Sequence, residues 1–311
     1  MAMRSSSDRV ALLAIETTYG TAVPGTAADA ILMMDASVQT AADKLERNTD
    51  SPHFGGDPFV LVGKRVTLTG TVDLIGHATP GTAAPLGNLY RVCGHSETLN
   101  VGPPADATYA PISKNFASGT VDFYWAGVRF RMTGVRGSID MAFNIKDYAK
   151  GTVTLTGLLT LPTDAEPPAG IDWSTFQTPA PIDADTWTVQ VGGVNVCAQQ
   201  LSLNQNATVN LVECSEGREV MITDRKPTGS LRVYKDATLA TWNPWSIAES
   251  QAIVTLTNTI VKSAGLNVEV PIRAQLEYPN PVDIDGLAGF EIAFTAIPSG
   301  TGGDEYSLIF T

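Results

Sequence analysis

The sequence predicts a mainly β protein: two tandem β-barrel or β-sandwich domains, each with one short flanking helix, plus an extended N-terminal arm and a long loop. Three observations lead there. Period-two alternation of apolar and polar residues recurs in both halves of the chain. A stretch rich in proline and acid separates those halves. Helical spacing occurs only twice, over short runs that each begin with proline.

The arm is residues 1–29. Its apolar residues Val10, Leu12, Leu13 and Ile15 precede any alternating pattern, so they are expected to add to the surface of a neighbouring molecule, with packing on their own domain as the alternative. The run stops at Glu16, too short for a signal-peptide core.

Residues 30–161 form the first domain. From Arg65 to Ile75, Val66, Leu68, Val72 and Leu74 alternate with threonines and Asp73, which marks a strand with one buried face. Val121, Phe123 and Trp125 repeat the pattern, as do Val128, Phe130 and Met132, then Ile139, Met141 and Phe143, then Val153, Leu155, Leu159 and Leu161. Gly134, Gly137 and Gly157 interrupt these runs and suit turns or bulges. Pro85 to Cys93 reads as the first helix, closed by Gly94. Leu45 to Val62 is too broken by Asn48, Asp50, Pro52, Gly55, Gly56 and Pro58 to be a strand and reads as the long loop, with Phe54 and Phe59 as anchors for a neighbour.

Residues 162–185 carry Pro162, Pro167, Pro168, Pro179 and Pro181 among acids, a composition that resists helix and sheet and reads as a linker. Residues 186–311 form the second domain. Its strands run through Trp187 to Val191, Leu231 and Val233, Leu266 to Tyr278, and Phe290 to Phe294. Pro271 inside the third of these predicts a sheet edge or a bulge, because proline donates no ladder hydrogen bond. Asn243 caps the second helix, with Pro244 at its first position. Lys64 and Arg65 before Gly70 resemble Arg225 and Lys226 before Gly229, and Gly151 resembles Gly289, which suggests a diverged duplication.

Composition narrows the function. The 311 residues are 43% hydrophobic and 17% charged, enough apolar material for a folded core, and no stretch reaches the ~20 apolar residues of a membrane-spanning helix. Twenty Lys and Arg against 32 Asp and Glu leave a net charge of −12, opposite to that of a protein that grips phosphate. Cys93, Cys197 and Cys214 have no C-x-x-C spacing and read as buried reduced thiols. His53, His77 and His95 stand in no metal-ligand pattern, so no metal or other cofactor is expected. Asp283, Asp285 and Gly286 lack the remaining ligands of a calcium loop and read as a turn. No nucleophile elbow, phosphate loop or dinucleotide fingerprint is present, which argues against an enzyme. Arg129, Arg131 and Arg136 form the basic cluster in the strands and are expected to pair with acids of a neighbouring subunit. Trp242 and Trp245, beside the second helix, read as core or interface anchors rather than as a sugar platform.

The stretch from Arg9 to Asp35 carries Glu16, Thr17, Tyr19 and Gly20 and then a Pro/Gly/Ala spacer. It resembles the opening of major tail tube proteins of long-tailed, siphovirus-type bacteriophages; Pro85 to Gly94 and the strands from Gly119 to Leu161 resemble that family's helix and sheet. The resemblance implies two tail-tube-type domains, the second diverged, in a virion protein made in the host cytoplasm. Three copies are expected to make a ring with pseudo-sixfold symmetry, and stacked rings a noncontractile conduit for DNA. It further implies that Tyr19 and the long loop serve contacts between subunits or rings, and that tape-measure protein, tail terminator and distal tail protein are partners. Acidity suits a wall past which DNA slides without tight binding. The alternative is a tandem β-sandwich binding module of a baseplate or fibre, recognising carbohydrate or a receptor.

Overall fold

The computed structural model describes residues 5–47, 55–236 and 238–311. In the first half, β1 (Arg9–Ile15) leads through a 3-10 turn to β2 (Ala30–Ile31), β3 (Met34–Glu46) and β4 (Phe59–Asp73). Helix α1 (Gly87–Val92) follows, then β5 (His95–Asn100), β6 (Asp106–Pro111), β7 (Gly119–Trp125), β8 (Val128–Asn144), β9 (Lys150–Leu159) and β10 (Thr163–Asp164). The second half holds β11 (Trp187–Val191), β12 (Val194–Val196), β13 (Ala198–Asn204), β14 (Ala207–Cys214), β15 (Gly217–Arg225) and β16 (Thr228–Tyr234). It continues with α2 (Pro244–Glu249), β17 (Ile253–Ile260), β18 (Val268–Leu276), β19 (Asn280–Ile284), β20 (Leu287–Ala296) and β21 (Leu308–Phe310).

The fold is mainly β and sandwich-like, and its sheets do not close into a barrel, which removes the barrel from the two expected forms. The same pairing order occurs twice. In the first half it is β2–β1–β7–β8–β9–β4–β3. In the second it is β12–β11–β17–β18–β20–β16–β13, with β19 continuing the line of β18 along β20. All these pairs are antiparallel, and each half places its short helix after the strand that closes its hairpin, α1 after β4 and α2 after β16.

The alternating strands form as the pattern dictates. On β4, Val66, Leu68 and Val72 are buried while the threonines between them stay half-exposed. Two expected strands are in fact one: β8 runs 17 residues without a turn. Its break in register between Thr133 and Arg136 is a bulge at Gly134, whose φ of 59° suits glycine. Both helices appear where their end signals stand. The side chain of Asn243 accepts from the Ser246 N–H at 3.1 Å, and Gly94 leaves α1 with φ 81°. Asp285 and Gly286, with φ 54° and 83°, form the two-residue turn between β19 and β20.

Four expectations are corrected. Within the expected arm, residues 9–15 are β1, fully paired with β7, and Leu12 and Leu13 have 0% exposure. Leu13 enters the main core and Leu12 packs with Ala30 and Tyr124 on the opposite face, so both faces are covered and no alternation is needed. The expected loop is strand at both its ends, where β3 and β4 pair as far as Glu46 and Phe59. Pro271 lies neither at an edge nor at a bulge. Its carbonyl accepts from the Ser307 N–H at 3.2 Å, on the side away from β17, so the β17 ladder needs no donor from it and runs in register from Val268 to Gln275. Finally, 162–185 hugs the first half: β10 pairs with β8, Pro181 bridges to Tyr148, and Ala180 and Ile182 are buried.

Candidate assembly surfaces

The halves meet along β8. Beyond the end of β7, residues Asp140–Asn144 of β8 pair with Asn204–Gln200 of β13, which joins the two sheets edge to edge. One hydrophobic core spans both halves. Farther along the chain, β21 pairs with β6 of the first half and β18 of the second.

Around that junction sits a polar node built on Glu16. Its carboxylate, 8% exposed, accepts from the N–H groups of Gly20 and Gly134 at 2.9 and 2.8 Å and from the hydroxyls of Ser118 and Thr120 at 2.8 and 2.9 Å. Four donors satisfy a buried charge that would otherwise be expensive. The turn they hold presents Tyr19, whose ring lies 5.1 Å from the Arg136 guanidinium carbon and whose oxygen accepts from the Val220 N–H. Burial pushes the Tyr19 phenol above its ordinary pKa. Arg136 in turn donates to the Glu219 carboxylate and the Val220 carbonyl at 2.8 and 2.7 Å. The residues Glu16, Tyr19 and Gly20 thus hold the β14–β15 ribbon of the second half against the first.

A second node lies nearby. Arg225 at the end of β15 donates to Glu305 and to the Ile112 carbonyl. His95 donates through Nδ1 to the Tyr90 carbonyl at 3.0 Å, so its Nε2 accepts from the Tyr306 hydroxyl at 2.9 Å. Burial lowers the His95 pKa to about 4, which keeps it neutral.

Among the strand edges without a partner in the described residues are the side of β3 away from β4 and the side of β19 away from β20. The far end of the β3–β4 ribbon is also apolar and exposed, at Leu45, Phe59, Val60, Leu61 and Val62, with Lys44 above the Phe59 ring. A contiguous exposed apolar strip of this kind is a candidate contact surface.

The residues singled out from sequence divide accordingly. Leu12 and Leu13 are interior, and Val10 and Ile15 are half-buried against the chain's own core clusters. Tyr19 makes its contacts within the chain. Phe59 is exposed at the ribbon, whereas Phe54 and His53 lie outside the described residues. The arginines have partners within their own chain: Arg131 grips Asp122 through two bonds of 2.6 and 2.7 Å, and Arg129 donates to Thr163. Of the cysteines only Cys93 is buried; Cys197, beside β12, and Cys214, at the end of β14, are exposed. Among the described residues no group of three or more His, Cys, Asp and Glu could hold a metal ion. Sequence reasoning missed Asp122, Gln205 and Glu219, whose partners are remote in the chain. It named Phe59 but not its neighbours Val60, Leu61 and Val62, which lie exposed at the same end of β4.

A family model described as phage tail tube protein matches residues 6–298. No curated protein matches the sequence.

Proposed function

Because the chain belongs to the phage tail tube protein family, and so is a component of the virion tail, we propose that it is the repeating subunit of the tube, three copies closing sideways into each ring. Each copy contributes two tandem units, 30–161 with β1 added and 186–311, so three copies give pseudo-sixfold symmetry. Stacked rings form a hollow conduit through which the genome passes.

The observation that carries this reading is the incomplete second junction. Inside the chain, β13 lies on the outer edge of β8 beyond β7. By the repeated pairing order, β3 corresponds to β13, and β18 with β19 corresponds to β8. The bare edges of β3 and β19 are therefore the two sides of one further junction of the same kind. They sit on one molecule, so the contact is heterologous and propagates from copy to copy until rotation closes it. Closure removes both edges, which are otherwise an aggregation hazard. Pro281 in β19 reduces the donors on that edge and discourages unspecific partners.

Stacking falls to the exposed apolar end of the β3–β4 ribbon, with Phe59 at its centre. Tape-measure protein inside the tube, and tail terminator and distal tail protein at its ends, complete the assembly. The acidic surface keeps DNA from adhering to the wall. The role is structural and non-enzymatic.

Negative-stain electron microscopy of the purified protein tests the reading. Hollow cylinders with three chains per ring support it. Compact monomers under every assembly condition overturn it.

A further inference from the structure

The seam between the halves contains a gap. On the outer edge of β8, β7 stops at Val135 and β13 starts at Asp140, so among the described residues no strand lies beside 136–139 on that side. Gln205, the first residue after β13 and only 1% exposed, fills the gap. Its Oε1 accepts from the Ile139 N–H at 2.9 Å and its Nε2 donates to the Cys93 carbonyl, at the end of α1, at 2.7 Å. Its own backbone N–H donates to the Asp140 carboxylate at 2.9 Å. One side-chain amide supplies an acceptor and a donor back to back, as a peptide group of a strand would.

We propose that Gln205 is a positioning residue: it fixes the register and angle at which the second half joins the first, and thereby the step from one unit to the next around the ring. The proposal rests on the ring reading above. At the corresponding kink of the first ribbon, where β3 and β4 lose register between Ala41 and Asp43, stands Ala42, which has no amide to offer. The ring then contains two kinds of seam in alternation. Those within a chain are plugged and set the geometry; those between chains are unplugged and give way first.

The full chain carrying Gln205→Leu or Gln205→Glu tests this. Leu keeps the bulk and removes both bonds. Amide exchange at Ile139 should quicken about tenfold, the scale of one lost hydrogen bond, and the tubes should vary in diameter where wild-type tubes are uniform. A protonated Glu accepts and donates as the amide does, whereas an ionised one cannot donate. Gln205→Glu should therefore give uniform tubes at about pH 5 and irregular ones at about pH 8, with the wild type uniform at both. Loss of stability alone would not produce that rescue. Gln205→Leu tubes as uniform as the wild type overturn the proposal. If that variant does not fold, the same diameters for Gln205→Glu at both pH values overturn it. If the wild type forms no tubes, the ring reading fails, and unchanged Ile139 exchange in Gln205→Leu sinks the clamp separately.

Discussion

The phenolic oxygen of Tyr19 accepts a hydrogen bond of 2.6 Å from the backbone N–H of Val220, 201 positions further along the chain. The side chain of Val220 is fully buried, so no water replaces a lost acceptor there. Tyr19→Phe should lower stability by about 1–3 kcal/mol, the penalty for an unsatisfied buried donor. Denaturant unfolding measures the loss, and faster amide exchange confined to the β14–β15 ribbon assigns it. An unchanged midpoint would mean that the ribbon is held by other contacts.

Asp122, 1% exposed, is the sole carboxylate bonded to Arg131 among the described residues, gripping it with two hydrogen bonds while also accepting from Gly25. Asp122→Ala strands a guanidinium in the sheet and should destabilise by about 3–5 kcal/mol. A paired replacement of Asp122 and Arg131 by apolar residues should recover most of that. Thermal melting of the single and double variants compares the two.

His95 makes stability depend on pH. Its pKa falls from 6.5 unfolded to about 4 folded, chiefly through burial. Above the unfolded value both states are neutral and nothing is lost. Between there and the folded value the unfolded state takes up the proton first, so stability drops as pH falls, by about 3 kcal/mol once both are protonated. Carboxylates titrate in the same range, so the useful quantity is the difference from His95→Gln. That variant should show a flatter dependence of its unfolding midpoint across the window, and a slope equal to the wild type's would refute the assignment.

Val60→Asp tests the ribbon. Val60 is 64% exposed, so the monomer's stability should change by no more than about 0.5 kcal/mol. Tube formation should nonetheless fail, because the carboxylate would be buried without a partner between rings. Sedimentation after assembly reads polymer, and melting of the soluble fraction reads the fold. Normal tubes would move the stacking contact elsewhere.

The legible parts of the fold were those whose physics is local. Alternation in β4, β8, β9, β18 and β20 reflects one buried face per strand, and Asn243, Pro244 and Gly94 act within a turn of their helices. β1 was hidden because covering both its faces leaves no alternation to see. The β14–β15 ribbon was missed because most of it faces solvent, with Val220 and Ile222 as its buried anchors. The arginine cluster was found but its partners were not: Asp122 and Glu219 lie on strands whose adjacency only the folded sheet creates. Glu16, Tyr19 and Gly20 were noticed as a motif, while their task of holding two halves together depends on residues more than a hundred positions away.

Six arginines, at 65, 131, 136, 225, 232 and 273, each have an acidic partner in the same chain. Their positive charge is therefore matched within the chain, whose net charge is −12. Separate copies repel once their surfaces come within about a Debye length, about 8 Å at physiological ionic strength, so short-range contact has to overcome that repulsion. Dilute buffer thus acts as a brake on polymer growth and added salt as its release, the reverse of an assembly held by ion pairs.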